Sequence, residues 1–250
     1  MTKGIDCSTP LNASTAKALA QQGFQFVGRY LVPENYRWKR LTLAEANVIT
    51  EAGMQVISVF ETTANRASGG TEAGKADGAA ALKEAKLLGQ PTGSTIYFAV
   101  DYDAQPKDYD NIERYLKAAT EQIPGYCSGV YGSYAVIEEM AKRKACTSFW
   151  QTYAWSSGKK SGNANVYQYK NDVVIGGISV DLNESYGSEG WWNTKGEVVT
   201  TMSQDDAVKI IRFLSAAWFA SINIEDKNEF NRLANEVRKS AGIPIESSSK

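Results

Sequence analysis

Five acidic residues sit where short apolar or β-branched runs of the chain come to an end. Asp6 closes the first such run, Glu61 follows MQVISVF, Asp101 and Asp103 close TIYFAVDYD, and Asp181 falls in GISVDLN. Strand alternation puts Asp101 and Asp103 on one face, roughly 6–7 Å apart along the backbone. Like charges that close raise one of the two pKa values, which is what a proton donor working near neutrality requires. Any one aspartate at a strand end is as readily a helix N-cap. Five acids at the ends of four such runs point instead to shared carboxylate chemistry.

The chain narrows that chemistry further by what it lacks. It has no histidine in 250 residues, which excludes Ser-His-Asp and Cys-His nucleophiles and the histidine ligands of most catalytic zinc sites. Hydrolysis must then run on carboxylates, tyrosines or lysines, and paired carboxylates are the usual means of glycoside hydrolysis. Aromatic and amide side chains lie beside the acids in sequence: Arg29, Tyr30, Tyr131, Trp150, Gln151 and Gln168 are candidates for binding a glycan, with Phe60 and Trp155 nearby. Aromatics also favour strands for packing reasons alone. No phosphate-binding loop follows a strand, so no nucleotide cofactor is expected, and neither is a metal.

Lys and Arg number 27 against 28 Asp and Glu, for a net charge of −1. That balance, with no basic block among aromatics, argues against a nucleic-acid partner. The start, MTKGIDCS, has no apolar core of an export signal, and no run is long enough to span a bilayer. Synthesis in the cytoplasm without a signal peptide or membrane anchor is the expectation. Cys7, Cys127 and Cys146 lack C-x-x-C spacing and are expected to be reduced core thiols.

Eight runs could position these side chains: KGIDCS (3–8), FQFVGRYL (24–31), MQVISVF (54–60), TIYFAVDYD (95–103), SGVYGSY (128–134), SFWQTYAW (148–155), NVYQYK (165–170) and GISVDLN (177–183). Helical patterning fills the gaps at 15–23, 42–53, 71–89, 109–122 and 133–144. Strands alternating with helices imply a parallel sheet, and eight of them imply closure into a TIM-like (β/α)8 barrel of the α/β class. The last three repeats lack convincing helices, so the ring is expected to be eroded there. The barrel should occupy 1–192, with a polar linker at 193–203. A small helical module at 204–250 should follow, since 204–222 and 225–242 carry apolar residues at helical spacing.

The words themselves, in order, are GIDCS, FVGRYL, VFET, IYFAVDYD, GVYGSY, FWQTYA, VYQY and VDLN. They resemble the glycoside-hydrolase-like TIM-barrel family once catalogued as a domain of unknown function, over about residues 1–190. That family is similar in turn to the family 25 lysozymes, which cleave the β-1,4 bond between N-acetylmuramic acid and N-acetylglucosamine. The resemblance implies catalytic roles for Asp6, Asp101, Asp103 and Asp181. Where the lysozyme pattern has a glutamate as general acid this chain has Asp103, one methylene shorter, and Glu61 on the neighbouring strand could supply the longer acid. The tail resembles the wall-binding modules of endolysins from phages of Bacillus and relatives. A peptidoglycan-cleaving, muramidase-type endolysin is therefore expected, with a catalytically silent wall-glycan binder as the alternative. Peptidoglycan and wall polymers would be its partners, and the tail could also mediate self-association.

Overall fold

The computed structural model describes residues 1–195, 204–241 and 243. The chain divides into two compact units, Met1–Val198 and Val199–Lys250.

The first unit is a closed barrel of eight strands in sequential order. They are β1 (Thr2–Asp6), β2 (Phe26–Tyr30), β3 (Gln55–Phe60), β4 (Thr95–Ala99), β5 (Cys127–Gly132), β6 (Ser148–Thr152), β7 (Val166–Ile175) and β8 (Ile178–Ser185). Helices follow the first five: α1 (Ala13–Gln21), α2 (Leu43–Glu51), α3 (Gly70–Leu88), α4 (Tyr109–Glu121) and α5 (Tyr134–Lys142). Side chains start several of them in the usual way, by accepting from orphan backbone N–H groups. Asn12 accepts from Thr15, Thr42 from Glu45 and Ser133 from Val136.

The TIM-like expectation holds, with one change of direction. β1 to β7 pair in parallel, but β8 runs antiparallel to both β7 and β1. The cause is the connection: Ile175 and Ile178 are joined by Gly176 and Gly177, with φ of +59° and +83°. Two positive φ values make the tight hairpin turn that only closes an antiparallel pair. No helix separates β6 from β7 or β7 from β8. The erosion foreseen for the last repeats is thus a crossover without a helix between β6 and β7 and a hairpin between β7 and β8.

Two apolar layers hold the barrel. Helices pack on its outside through residues such as Leu19, Ile49, Leu116 and Ile137 against Ile5, Val27, Val56 and Phe98. Its inside is filled by Phe26, Ile57, Val59, Tyr97, Ala99, Trp150 and Val166. These large rings fit because small residues face them: a Cβ on Gly4 would come within 2.3 Å of the Phe26 ring, and one on Gly28 within 2.5 Å of Trp150.

Residues after β8 close the N-terminal end of the strands. Trp192 is fully buried, bridges to Val56 and donates its indole N–H to Ser58 at 2.9 Å. The chain then stays attached past the expected boundary at 192, with Asn193 bonded to Gln55 and the backbone N–H of Thr194 to Thr50. Residues 196–203 of the expected linker lie outside the described residues.

In the second unit, α6 (Gln204–Ala220) and α7 (Ile224–Ser240) pack on each other, with the Lys227 ammonium 4.6 Å from the Trp218 ring centroid. The end of the expected module, residue 242 and residues 244–250, lies outside the described residues. All three cysteines are free, and the core expectation fails for Cys127, which begins β5 exposed. No helix among the described residues is long and apolar enough to cross a membrane.

Candidate active site

The inward rows of the barrel lead straight to the site. Each is a run of alternate residues: Gly4 then Asp6, Gly28 then Tyr30, Val59 then Glu61, Ala99 then Asp101, Gly129 then Tyr131, and Val166 then Gln168. Glu61 and Asp101 fall just past the last paired residues of β3 and β4 and continue the same rows. The rows end in a cavity of about 140 Å³ lined by Asp6, Glu61, Asp101 and Asp181, with Tyr30, Tyr131, Trp150, Gln168 and Asn171 among the walls.

Asp6 is 7% exposed, and its Oδ2 accepts from Asn183 at 2.7 Å and from Gln168 at 2.9 Å. Burial, and then the neighbouring Asp181, push its pKa up to about 7 despite those two donors. The Gln168 amide is a hub. Its oxygen accepts from Tyr131 at 2.9 Å and Thr152 at 2.8 Å, which turns its nitrogen toward Asp6 and, at 3.2 Å, Asp181. Asn183 is fixed likewise by the Trp150 indole N–H at 2.8 Å. Asp181 takes a further bond from the backbone N–H of Asp172 at 2.9 Å, and burial raises its pKa.

Beside Glu61 and Tyr30 of the cavity wall lies a cation that sequence reasoning missed. Lys39, 4% exposed, lies 3.6 Å from Glu61 and 4.4 Å from the Tyr30 ring centroid. Burial raises the pKa of Glu61 and of Asp101, while Lys39 pulls both down. The site therefore holds one cation against four carboxylates, each biased toward keeping a proton. Trp38, 63% exposed, has its ring centroid 5.4 Å from the same ammonium and offers an open aromatic face. Asn171 and Asn183 were also missed.

Three expected site residues are not brought to the cavity. β4 ends at Ala99 and the chain bends at Tyr102, so strand alternation does not reach Asp103, which is exposed and outside the lining. The expected Asp101–Asp103 pair does not form. Arg29 and Gln151 neighbour the inward Tyr30 and Trp150 and so point outward. Arg29, fully buried, pairs with Glu45 at 2.6 Å and donates to the Cys7 carbonyl. Gln151 bonds the backbone of Lys159 and Ser161. Trp150 reaches the cavity only by an edge, being 1% exposed and packed edge-on against Tyr97 and Tyr131. Its role is to fill the barrel and orient Asn183. Among the described residues, no three Cys, Asp or Glu side chains are arranged to hold a metal ion.

A closed strand barrel with acids converging at the C-terminal mouth is the layout of a glycoside-hydrolase-like TIM barrel. The chain belongs to the Rv2525c-like, glycoside hydrolase-like domain family, whose pattern matches residues 17–187. It is 33% identical over 151 residues to the uncharacterized protein FadG of Bacillus subtilis, a match covering 58% of this chain and 26% of FadG. It is 26% identical over 153 residues to the putative peptidoglycan hydrolase Rv2525c of Mycobacterium tuberculosis, covering 58% of this chain and 63% of that protein. The chain thus spans about a quarter of the first relative and under two thirds of the second. The crystal structure of the Tat-secreted Rv2525c with L-tartrate superposes with a TM-score of 0.70 at 22% identity, over 76% of this chain and 98% of that one, a likeness of fold.

Proposed function

We propose that the barrel is a peptidoglycan hydrolase of muramidase type, cleaving a glycosidic bond of the wall glycan by carboxylate acid/base chemistry. The observation that carries this reading is the convergence of Asp6, Glu61, Asp101 and Asp181 on one cavity, with burial raising the pKa of each. The relative described as a putative peptidoglycan hydrolase supports the choice of substrate.

Glu61 takes the part of proton donor that Asp103 cannot reach. It protonates the leaving glycosidic oxygen as the C–O bond breaks, and Lys39 stabilises the carboxylate that remains. Asp101, which Lys39 draws toward its ionised form, faces the positive charge that develops on the sugar ring. Asp6, its pKa pushed up to about 7 by burial and then by Asp181, leaves the more open Asp181 to take the proton of the incoming water as the water oxygen bonds to the anomeric carbon.

The helical pair α6 and α7 serves in this reading as a wall-binding module, as in a phage endolysin. A second reading, a barrel that binds glycan without cutting it, is favoured by the position of Asp103 outside the cavity. Incubation of purified walls with the protein separates the two: new reducing ends support the hydrolase, and walls bound without new ends support the silent binder.

A further inference from the structure

The segment between β2 and α2 turns one large aromatic side chain outward beside the site. Its backbone is pinned to the barrel. Lys39 and Leu41 are buried, and the backbone N–H of Leu41 donates to the Tyr30 carbonyl at 2.8 Å. Arg40 bridges to Tyr30 and donates twice to Glu84, at 2.9 and 2.6 Å. The backbone N–H groups of Lys39 and Arg40 return to the Tyr36 carbonyl at 3.0 and 3.2 Å, closing the turn that carries Trp38. On this fixed turn the Trp38 side chain is 63% exposed. Tryptophan is highly buried on average, so a ring held out in this way contributes little to packing.

Lys39 sets the place of that ring relative to the chemistry. Its ammonium lies 5.4 Å from the Trp38 ring centroid, 4.4 Å from that of Tyr30 and 3.6 Å from Glu61. One ammonium thus separates Trp38 from the proposed proton donor, yet Trp38 is outside the cavity lining. Tyr131 and Trp150, which do line it, pack edge-on against each other, and Trp150 is 1% exposed. The cavity, at about 140 Å³, is also small beside the roughly 300–1,000 Å³ of pockets that enclose a whole drug-sized ligand. A polymer cut there must rest its other rings on the rim.

We propose that Trp38 is the platform of an outer sugar subsite, on which a pyranose ring of the glycan, beyond the two joined by the cleaved bond, stacks through its C–H face. The inference rests on the reading of the cavity as a glycan site. A β-1,4-linked N-acetylglucosamine ring carries its hydroxyl and acetamido groups around its edge and leaves C–H bonds on its two faces. Those slightly positive hydrogens suit the negative face of an aromatic ring. Binding a ring away from the reacting bond holds the chain in register with Glu61, so that remote contact energy serves orientation at the reacting centre.

Calorimetry with the dimer and the tetramer of β-1,4-linked N-acetylglucosamine tests this on the full chain, Trp38→Ala and Trp38→Phe, with thermal unfolding followed in parallel. The parent should bind the tetramer more tightly than the dimer. Trp38→Ala should bind the tetramer at least about tenfold more weakly, the worth of one aromatic stacking contact, and the dimer within about twofold of the parent. Its Tm should not change, since an exposed side chain is removed. Trp38→Phe keeps a flat face and should retain more tetramer affinity than Trp38→Ala. Equal loss for dimer and tetramer, or equal loss in the two variants, overturns the outer subsite. Parent tetramer binding that Trp38→Ala leaves intact removes only this inference and would mean that the ring merely shields Lys39. A parent that binds neither oligomer removes the glycan reading of the cavity and the inference with it.

Discussion

Asp6 and Asp181 stand directly opposite each other on the antiparallel strands β1 and β8, and one amide nitrogen, that of Gln168, donates to both. Side chains directly opposite on such a pair are only about 4.5–5.5 Å apart at Cβ. Burial first, and then the charge of Asp181 so close by, push the pKa of Asp6 up to about 7.

This has a consequence for stability. An acid whose folded pKa lies above its unfolded value, here 3.8, holds extra protons when folded, so its contribution is favourable at low pH and is lost as pH rises from about 4 to about 7. Asp6→Asn can keep both accepted hydrogen bonds without the charge. It should be more stable than the parent at pH 8 by on the order of 3–4 kcal/mol, with the gain vanishing near pH 4. Thermal unfolding across pH checks this, and a gain independent of pH would refute it.

Glu61→Gln should lower the rate of wall cleavage by at least about a hundredfold, the contribution of a positioned general acid, while Asp103→Asn stays within about twofold of the parent, since its side chain is exposed and outside the cavity lining. Initial rates of reducing-end release compare the three. Strong loss in Asp103→Asn with little in Glu61→Gln would reverse the assignment.

Lys39 lowers the pKa of Glu61 and of Asp101. Lys39→Met should therefore raise both, moving the limbs of the pH–rate profile upward by roughly one unit, the lower end of what a neighbouring opposite charge does. A profile that keeps its limbs and loses only amplitude would mean that Lys39 acts by shape alone.

Helices α3 and α4 meet through glycine. A Cβ on Gly74 would lie 2.2 Å from the Tyr115 carbonyl oxygen, and one on Gly78 2.6 Å from that of Ala119. Backbone cannot yield as a side chain does. Gly74→Ala is expected to cost about 1–3 kcal/mol in denaturant unfolding through overpacking, more than any gain in helix propensity returns.

A chain ending at Lys195 keeps Trp192 and the bonds of Asn193 and Thr194 to the barrel. It should fold and cut glycan but bind intact walls more weakly, since a tethered second site adds avidity. A chain ending at Gly190 loses the fully buried Trp192 and should unfold at a markedly lower temperature. Equal wall binding by the full chain and the one ending at Lys195 would deny the helical pair its proposed role.

Much of this molecule was legible in the residues. The positions of the eight strands, the five helices between them and four of the five acids follow from patterning and from what a barrel does with strand ends. Arg29 and Gln151 were misplaced although alternation argues against them, because each adjoins a residue, Tyr30 or Trp150, whose side chain takes the inward place. Asp103 was misplaced because alternation was carried past the end of β4. The Gly176–Gly177 turn could have revealed the antiparallel β8. Lys39 had no such signal, lying in an irregular segment between β2 and α2, and Asn171 lies at a shift of register between Lys170 and Val173 that periodicity does not foresee.

The most direct measurement is mass spectrometry of the fragments released from purified walls after borohydride reduction. A muramidase leaves N-acetylmuramic acid at the new reducing end, so reduced muramic acid should appear with the parent chain and be absent with Glu61→Gln. Release of wall fragments with no reduced sugar, or with only peptide cuts, would contradict carboxylate-driven glycan cleavage by this barrel.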